Sequence, residues 1–182
     1  MKLARGQKIP TVSVDSIHGM PVAIPDGSSR YIHLQFRRFA GCPVCNFHLH
    51  SLNKRHAEIK AAGIREIAVF HSSREEMLKY QAQLPFDCIA DPGKALYRQF
   101  GVETSLLAPL HPTALWAGFR GILATGRFYK KAENGIFSLP ADFLVSPTGE
   151  ILAANYGTHA YDNWDADVLL RIKSSVELQT SA

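Results

Sequence analysis

Residues Tyr31 to Phe39 alternate, with Tyr31, His33, Gln35 and Arg37 on one face and Ile32, Leu34 and Phe36 on the other, which is the period of a strand. Gly41 breaks the run. From Cys45 the apolar residues recur at helical spacing through Leu49, Leu52, Ile59 and Ala62, with Gly63 as the stop. Cys42-Pro43-Val44-Cys45 therefore stands where a strand turns into a helix, with Pro43 at the point where a helix can begin. This junction restricts the fold more than any other feature, because alternating strands and helices require parallel pairing and helices on both sheet faces.

The rest of the chain supplies those elements. Thr11 to Val14 and Val22 to Ile24, with turn residues between and after them, read as an N-terminal β-hairpin within residues 1–28. Ile64 to Phe70 is a buried-type strand, Ser73 caps a helix through about Gln83, and Phe86 to Ala90 is a short strand. Asp91 caps the next helix, with Pro92 in its first turn and Phe100 near its end. Residues 102–136 form an irregular insertion, apolar and aromatic, punctuated by Pro109, His111, Pro112 and several glycines, with partial helix near Leu115 to Leu123. Phe143 to Val145 and Ile151 to Ala154 pair around Pro147-Thr148-Gly149, and a last helix runs from about Asp165 to Leu178. The expected architecture is α/β: one domain over residues 1–182, with a central mixed β-sheet flanked by helices, the hairpin in front and the insertion before the C-terminal hairpin. Cys42 falls at the carboxyl end of a central strand, where chemistry concentrates in open α/β sheets.

Composition narrows the function classes. The chain is 46% hydrophobic and 20% charged, enough apolar material for a sizeable core and too much for a disordered or coiled-coil protein. The 20 Lys+Arg against 16 Asp+Glu give +4, scattered without a long run, so no nucleic-acid partner is expected. No stretch nears the roughly 18 apolar residues of a membrane helix, and no apolar run follows the charged N-terminus. The expected compartment is the cytosol, with no membrane partner. In that reducing setting Cys42, Cys45 and Cys88 are no disulfide scaffold; a close pair there reads as catalytic, redox-sensing or metal-binding.

A thiol reacts as its thiolate, and the start of a helix offers unpaired N–H groups and a partial positive charge to hold it. In a Cys-x-x-Cys pair the first cysteine lies at that start and the second a turn inside, close enough to close a disulfide. The alternative is zinc, held without turnover in a binding or redox-sensing interaction module. His48 and His50 follow the pair, but they point about 200° apart at ~100° per residue, so they cannot share one ion with Cys45. Zinc would need distant His33 or His71. His56 falls on the apolar stripe and reads as a partly buried, hydrogen-bonded core residue. His111 and His159 read as solvated loop residues, and Cys88 as a buried, inert thiol.

Phe39-Ala40-Gly41-Cys42-Pro43-Val44-Cys45 and the helix behind it resemble the peroxiredoxin-like (AhpC/TSA) branch of the thioredoxin superfamily. Gly6 to Val14, Asp91 to Val102 and Leu139 to Ile151 add to the resemblance, which spans about residues 5 to 175. It implies a thioredoxin-like fold and a thiol-dependent antioxidant oxidoreductase. Such an enzyme cycles a Cys42–Cys45 disulfide, reduces peroxides or protein disulfides, and is restored by an external thiol such as thioredoxin or glutathione, with no bound cofactor. On the thioredoxin pattern Cys42 attacks and Cys45 resolves; on the peroxiredoxin pattern, Thr-x-x-Cys, Cys45 attacks and Cys42 resolves its sulfenic acid. Pro140 matches the cis-proline that packs against the active-site disulfide in this fold.

The sequence departs from peroxiredoxins where Arg38 and Cys42 take the Pro and Thr positions of Pro-x-x-x-Thr-x-x-Cys. The arginine that the family carries just before the Phe143 strand is also missing from Ser138-Leu139-Pro140-Ala141-Asp142. Arg37, Arg38 and Arg120 are the candidate replacements, although each reads more simply as a solvated surface charge. Phe39, Arg38 and Arg120 are the candidate substrate-binding residues beside the catalytic candidates Cys42, Cys45 and Pro140. The apolar stretch from Leu106 to Phe128 is expected either to cap the site or to form a homodimer contact.

Overall fold

The computed structural model describes residues 1–104, 116, 119, 120, 123 and 132–180. Strands β1 (Val12–Asp15) and β2 (Pro21–Ile24) pair antiparallel as a separate two-stranded sheet, the hairpin expected at the N-terminus. Ten further elements follow in chain order: β3 (Tyr31–Phe36), α1 (Pro43–Lys54), α2 (His56–Ala61), β4 (Ile64–Phe70), α3 (Arg74–Tyr80), β5 (Asp87–Ala90), α4 (Ala95–Gln99), β6 (Ala141–Val145), β7 (Ile151–Tyr156) and α5 (Ala166–Thr180). The main sheet has the order β5-β4-β3-β6-β7, parallel from β3 to β5 and antiparallel through β6 and β7. The expected mixed sheet is present, with β3 at its centre.

Two apolar clusters cover the two sheet faces. Ile32, Leu34 and Phe36 point into one with Val22, Ile24, Tyr97, Phe100 and Phe143. There the Phe36 ring lies 5.1 Å from Phe100 and 5.9 Å from Phe143, tilted and edge-on, the arrangement that aromatic quadrupoles favour. The other cluster joins Leu49 and Leu52 of α1, Ile59 of α2, and Leu169 and Val176 of α5. With both faces covered, β3 is buried along its whole length, including its polar residues.

Several boundaries differ from the sequence expectation: β3 ends at Phe36 rather than Phe39, α3 ends at Tyr80 rather than near Gln83, and two helices are redrawn. The single helix expected after Cys45 is broken at Arg55, whose N–H turns back to the Leu52 carbonyl and whose own carbonyl takes the N–H groups of Glu58 and Ile59, restarting the helix as α2. The helix expected from Asp91 begins at Ala95, because Asp91 to Lys94 close a turn of their own. Asp91 still caps it, its carboxylate accepting the N–H groups of Ala95 and Leu96 at 2.8 Å each. In the insertion, Trp116, Phe119, Arg120 and Leu123 are helical as expected. The rest of the Leu115 to Leu123 helix, and most of the Leu106 to Phe128 stretch expected to cap the site or pair two copies, lie outside the described residues. Among the described residues no helix is long and apolar enough to cross a membrane.

Candidate active site

The loop from Arg37 to Gly41 carries the chain from β3 into α1 and is fastened at several points. Ala40 N–H donates to Ser72 Oγ at 3.0 Å, and the Ala40 carbonyl accepts from Gln81 Nε2 at 2.8 Å and Asn46 Nδ2 at 3.1 Å. Cys42 is the N-cap of α1: its backbone is extended, its Sγ accepts the Cys45 N–H at 3.3 Å, and Pro43 opens the helix. Cys45 lies one turn on, with its Sγ 2.7 Å from Cys42 Sγ. Both are free thiols and both are buried.

The two thiols sit in different fields. Burial pushes the Cys42 thiol up, but the Cys45 Sγ hydrogen bond, the Arg38 charge and the N–H groups of Cys45 and Val44 outweigh it and bring Cys42 down to about 7. Burial and the neighbouring Cys42 sulfur drive Cys45 the other way, well above an ordinary thiol. Arg38 Nη1 is 3.8 Å from Cys42 Sγ, its guanidinium stands 5.6 Å from the Phe39 ring centre, and Nη2 donates to the Ile136 carbonyl. Phe39 is buried as well, so the two candidate substrate residues beside Cys42 line the thiol from within the fold.

Arg37 and Arg38 are therefore not solvated surface charges. They are 0% and 4% exposed, because the carboxyl end of β3 runs beneath α1 and the returning segment at Ile136. Arg120 does fit the surface reading: it is exposed, with its guanidinium 4.8 Å from the Trp116 ring centre and 5.8 Å from that of Phe47 on α1. Pro140 lies at the same sheet end as Cys42, since Ala141 pairs with Phe36, and its carbonyl accepts Gly157 N–H at 2.9 Å. It is not a cis-proline. Among the described residues the only cis peptide bond is Ile24–Pro25, and Leu139–Pro140 is trans as it feeds directly into β6.

Behind the thiols lies an ionic network that the sequence reading did not single out. Arg37 Nη2 donates to Asp142 Oδ1 and Gln35 Oε1 at 2.7 Å each and lies 3.1 Å from His48 Nε2, while Nη1 donates to Asn163 Oδ1 at 2.7 Å. His33 Nε2 is 3.1 Å from Asp142 Oδ1, and His33 Nδ1 is 3.9 Å from Glu66 Oε1. Glu66 Oε2 meets His56 Nδ1 at 2.9 Å, so His56 is the partly buried, bonded residue expected. Burial opposes charge on Asp142, but Arg37 and His33 hold it well below the usual carboxylate range. Burial likewise lowers His33, and the Asp142 and Glu66 carboxylates more than reverse it. His48 is held neutral by burial and the Arg37 charge, leaving Nε2 free to accept from Arg37. The one signal for this network was the alternation that put His33, Gln35 and Arg37 on a single face of a strand covered on both sides.

Cys88 is buried in β5 and pushed up to about 12 by that burial, the inert thiol expected. Among the described residues no group of three or more His, Cys, Asp or Glu is placed to hold a metal. His71 follows the last residue of β4, buried and 5.7 Å from the Tyr97 ring centre, and neither ring nitrogen has a side-chain hydrogen-bond partner among the described residues. Burial, helped by the Lys94 charge, lowers it from 6.5 to about 4. Between those values the unfolded chain binds a proton on His71 that the folded chain refuses, so stability rises with pH across that window. Acidification from 6.5 to 4 is expected to remove on the order of 3 kcal/mol through this group, and His71→Leu to lessen the slope in urea unfolding; an unchanged slope would show His71 to be charged in the fold. His33 has the opposite sign, its stabilisation complete below 6.5 and lost as pH rises through its raised value.

A sequence model of the family described as AhpC/TSA antioxidant enzyme matches residues 51–159, over half of the chain, beginning beyond Cys45. No curated protein matches the chain. Among solved structures, peroxidoxin BcpB from Mycobacterium tuberculosis superposes with a TM-score of 0.69 at 12% identity, covering 97% of each chain. The reduced 2-Cys peroxiredoxin of Plasmodium vivax gives 0.71 at 13% identity, covering 98% of this chain and 84% of its own. A Chlorobium tepidum protein described as thiol:disulfide interchange protein DsbE gives 0.63 at 20% identity, covering 96% and 99%. At these identities the likeness is one of fold, and that fold is thioredoxin-like.

Proposed function

The chain belongs to the AhpC/TSA antioxidant enzyme family, and from that premise we propose that it is a thiol peroxidase in which Cys42 attacks and Cys45 resolves. The observation that carries this reading is a thiol brought down to about 7 at the N-terminus of α1, with a second sulfur 2.7 Å away. The Cys42 thiolate attacks one peroxide oxygen and the O–O bond breaks. The leaving alkoxide takes a proton to become an alcohol or water, and Cys42 becomes a sulfenic acid. Cys45 then loses its proton and attacks Cys42 Sγ, forming the disulfide and releasing water. Two external thiols, from thioredoxin or glutathione, return two electrons to the pair. Arg38 lies beside Cys42 Sγ, where a cation both holds the thiolate and steadies charge leaving on oxygen.

Burial of both sulfurs ranks a peroxide, the smaller substrate, ahead of a protein disulfide, which needs more surface around the thiol. Disulfide exchange by the same pair is the second reading, favoured by the low-lying thiol being the first of the two cysteines, as in thioredoxins. Three cysteines are too few and too odd in number for a disulfide scaffold, which supports a reducing compartment such as the cytosol.

The test is turnover of hydrogen peroxide with a thioredoxin or glutathione couple, against the variant carrying Cys42→Ser and Cys45→Ser. Turnover that survives the double substitution refutes the assignment. Arg38→Met is expected to raise the Cys42 thiol by about one to two pH units and slow its oxidation at pH 7 roughly 5- to 50-fold, with the rate recovered at higher pH. A slowed rate without that recovery would give Arg38 no part in ionising the thiol.

A further inference from the structure

At the sheet end opposite Cys42, a cleft of about 720 Å³ opens between α2 and the amino ends of β4 and β5. Its floor is the Glu66 carboxylate, buried and joined to His56 at 2.9 Å, which fixes the His56 ring at the cleft wall. Phe86 stands beside that ring, 5.9 Å between centres and tilted 40°, only half-buried, so a flat apolar face is left open to the cleft.

The acidic groups of the lining are already matched. Glu66 is met by His56 and, from behind, by His33, and Asp87 is held by two bonds from Arg65 at 3.0 and 2.6 Å. Of the cations in the lining, Arg65 is held by Asp87 and Asp26, while Lys60 and Arg30 stand at the rim. Lys60 is exposed at the rim and has no hydrogen-bond or ion-pair partner among the described residues, and His18 is exposed on the facing hairpin turn. Arg30, also on the rim, reaches outward to Glu177 at 2.7 Å with most of its side chain in solvent. The cleft therefore combines an aromatic wall with Lys60 and a largely solvent-exposed Arg30 at its mouth, a pairing that suits a ring carrying an anionic group.

We propose that this cleft is a second binding site, for a planar aromatic anion whose ring lies against Phe86 and His56 and whose phosphate- or carboxylate-type group meets Lys60 and Arg30. Its geometry is independent of the thiols, so it stands or falls apart from the peroxidase reading.

The probe is 1-naphthyl phosphate, titrated into reduced protein and followed by amide chemical-shift mapping. Saturable shifts are expected at His56, Lys60, Phe86, Asp87 and the start of β4, at least about tenfold weaker binding to Lys60→Glu, and comparable weakening when 1-naphthol or inorganic phosphate replaces the probe. Lys60 is an exposed helix residue, so the variant is expected to fold and to keep the peroxide turnover of the parent. Shifts that do not saturate, shifts centred on Trp116, Phe119 and Leu123 instead, or affinity unchanged by Lys60→Glu would each overturn the proposal.

Discussion

Cys42→Ser is expected to abolish peroxide turnover, lowering kcat/KM by about 10³-fold or more, because it removes the only sulfur that is ionised near neutral pH. Cys45 remains in that variant, but burial holds its thiol protonated, and it should oxidise no faster than an ordinary free thiol. Cys45→Ser separates the steps. There Cys42 should still react with one equivalent of peroxide and stop at the sulfenic acid, which dimedone labels at Cys42 and nowhere else. On the peroxiredoxin pattern the outcome is reversed: the label appears on Cys45 in Cys42→Ser. Peptide mass analysis of the two variants decides between the patterns.

Asp142→Asn is expected to cost about 3 to 5 kcal/mol of stability, a drop of roughly 6 to 20 °C in Tm for a chain of this size. Asp142 is the acceptor on which Arg37 Nη2 at 2.7 Å and His33 Nε2 at 3.1 Å converge, with the Trp164 N–H at 3.3 Å on its other oxygen. All of the side chains are buried, so removing the carboxylate charge leaves the Arg37 guanidinium and the His33 ring facing an amide that itself carries donors. Replacing the pair together, Arg37→Met with Asp142→Leu, should recover much of the loss, since a buried ion pair often gives way to apolar residues without penalty. Thermal melts by circular dichroism measure both. A Tm change under about 2 °C in Asp142→Asn would mean that the network is not ionised in the fold.

Particular residues show how far the sequence could be read. The change of period at Gly41 placed Cys42 at the strand-to-helix junction, and the structure has it there as the N-cap of α1. Ser73, the β6–β7 hairpin and the burial of Cys88 were legible for the same reason: each rests on local chemistry that acts within a few residues. Arg37 and Arg38 were misjudged because a charged side chain looks the same in sequence whether water surrounds it or distant groups hold it, a carboxylate 105 residues away for Arg37 and the Ile136 carbonyl for Arg38. The partner, Asp142, sits in a different strand, and only the pairing of β3 with β6 brings them together. The trans bond at Leu139–Pro140 belongs to the same class of miss, since isomer state follows from the tertiary setting rather than from the dipeptide. The choice between Cys42 and Cys45 as attacker also lay beyond the motif. It rests on the field of Arg38, which lies only four residues before Cys42 but is turned inward by its burial and by the Ile136 carbonyl from 98 residues away, and on the cap geometry that aims the Cys45 N–H at the Cys42 sulfur.

The measurement closest to the central claim is the pH dependence of alkylation at each cysteine of the reduced wild-type protein, by iodoacetamide labelling and peptide mass analysis. Cys42 should be labelled with a midpoint of about 7, while Cys45 stays unlabelled well above the range of an ordinary thiol. Labelling of Cys45 at lower pH than Cys42 would contradict the account and return the attacking role to the second cysteine.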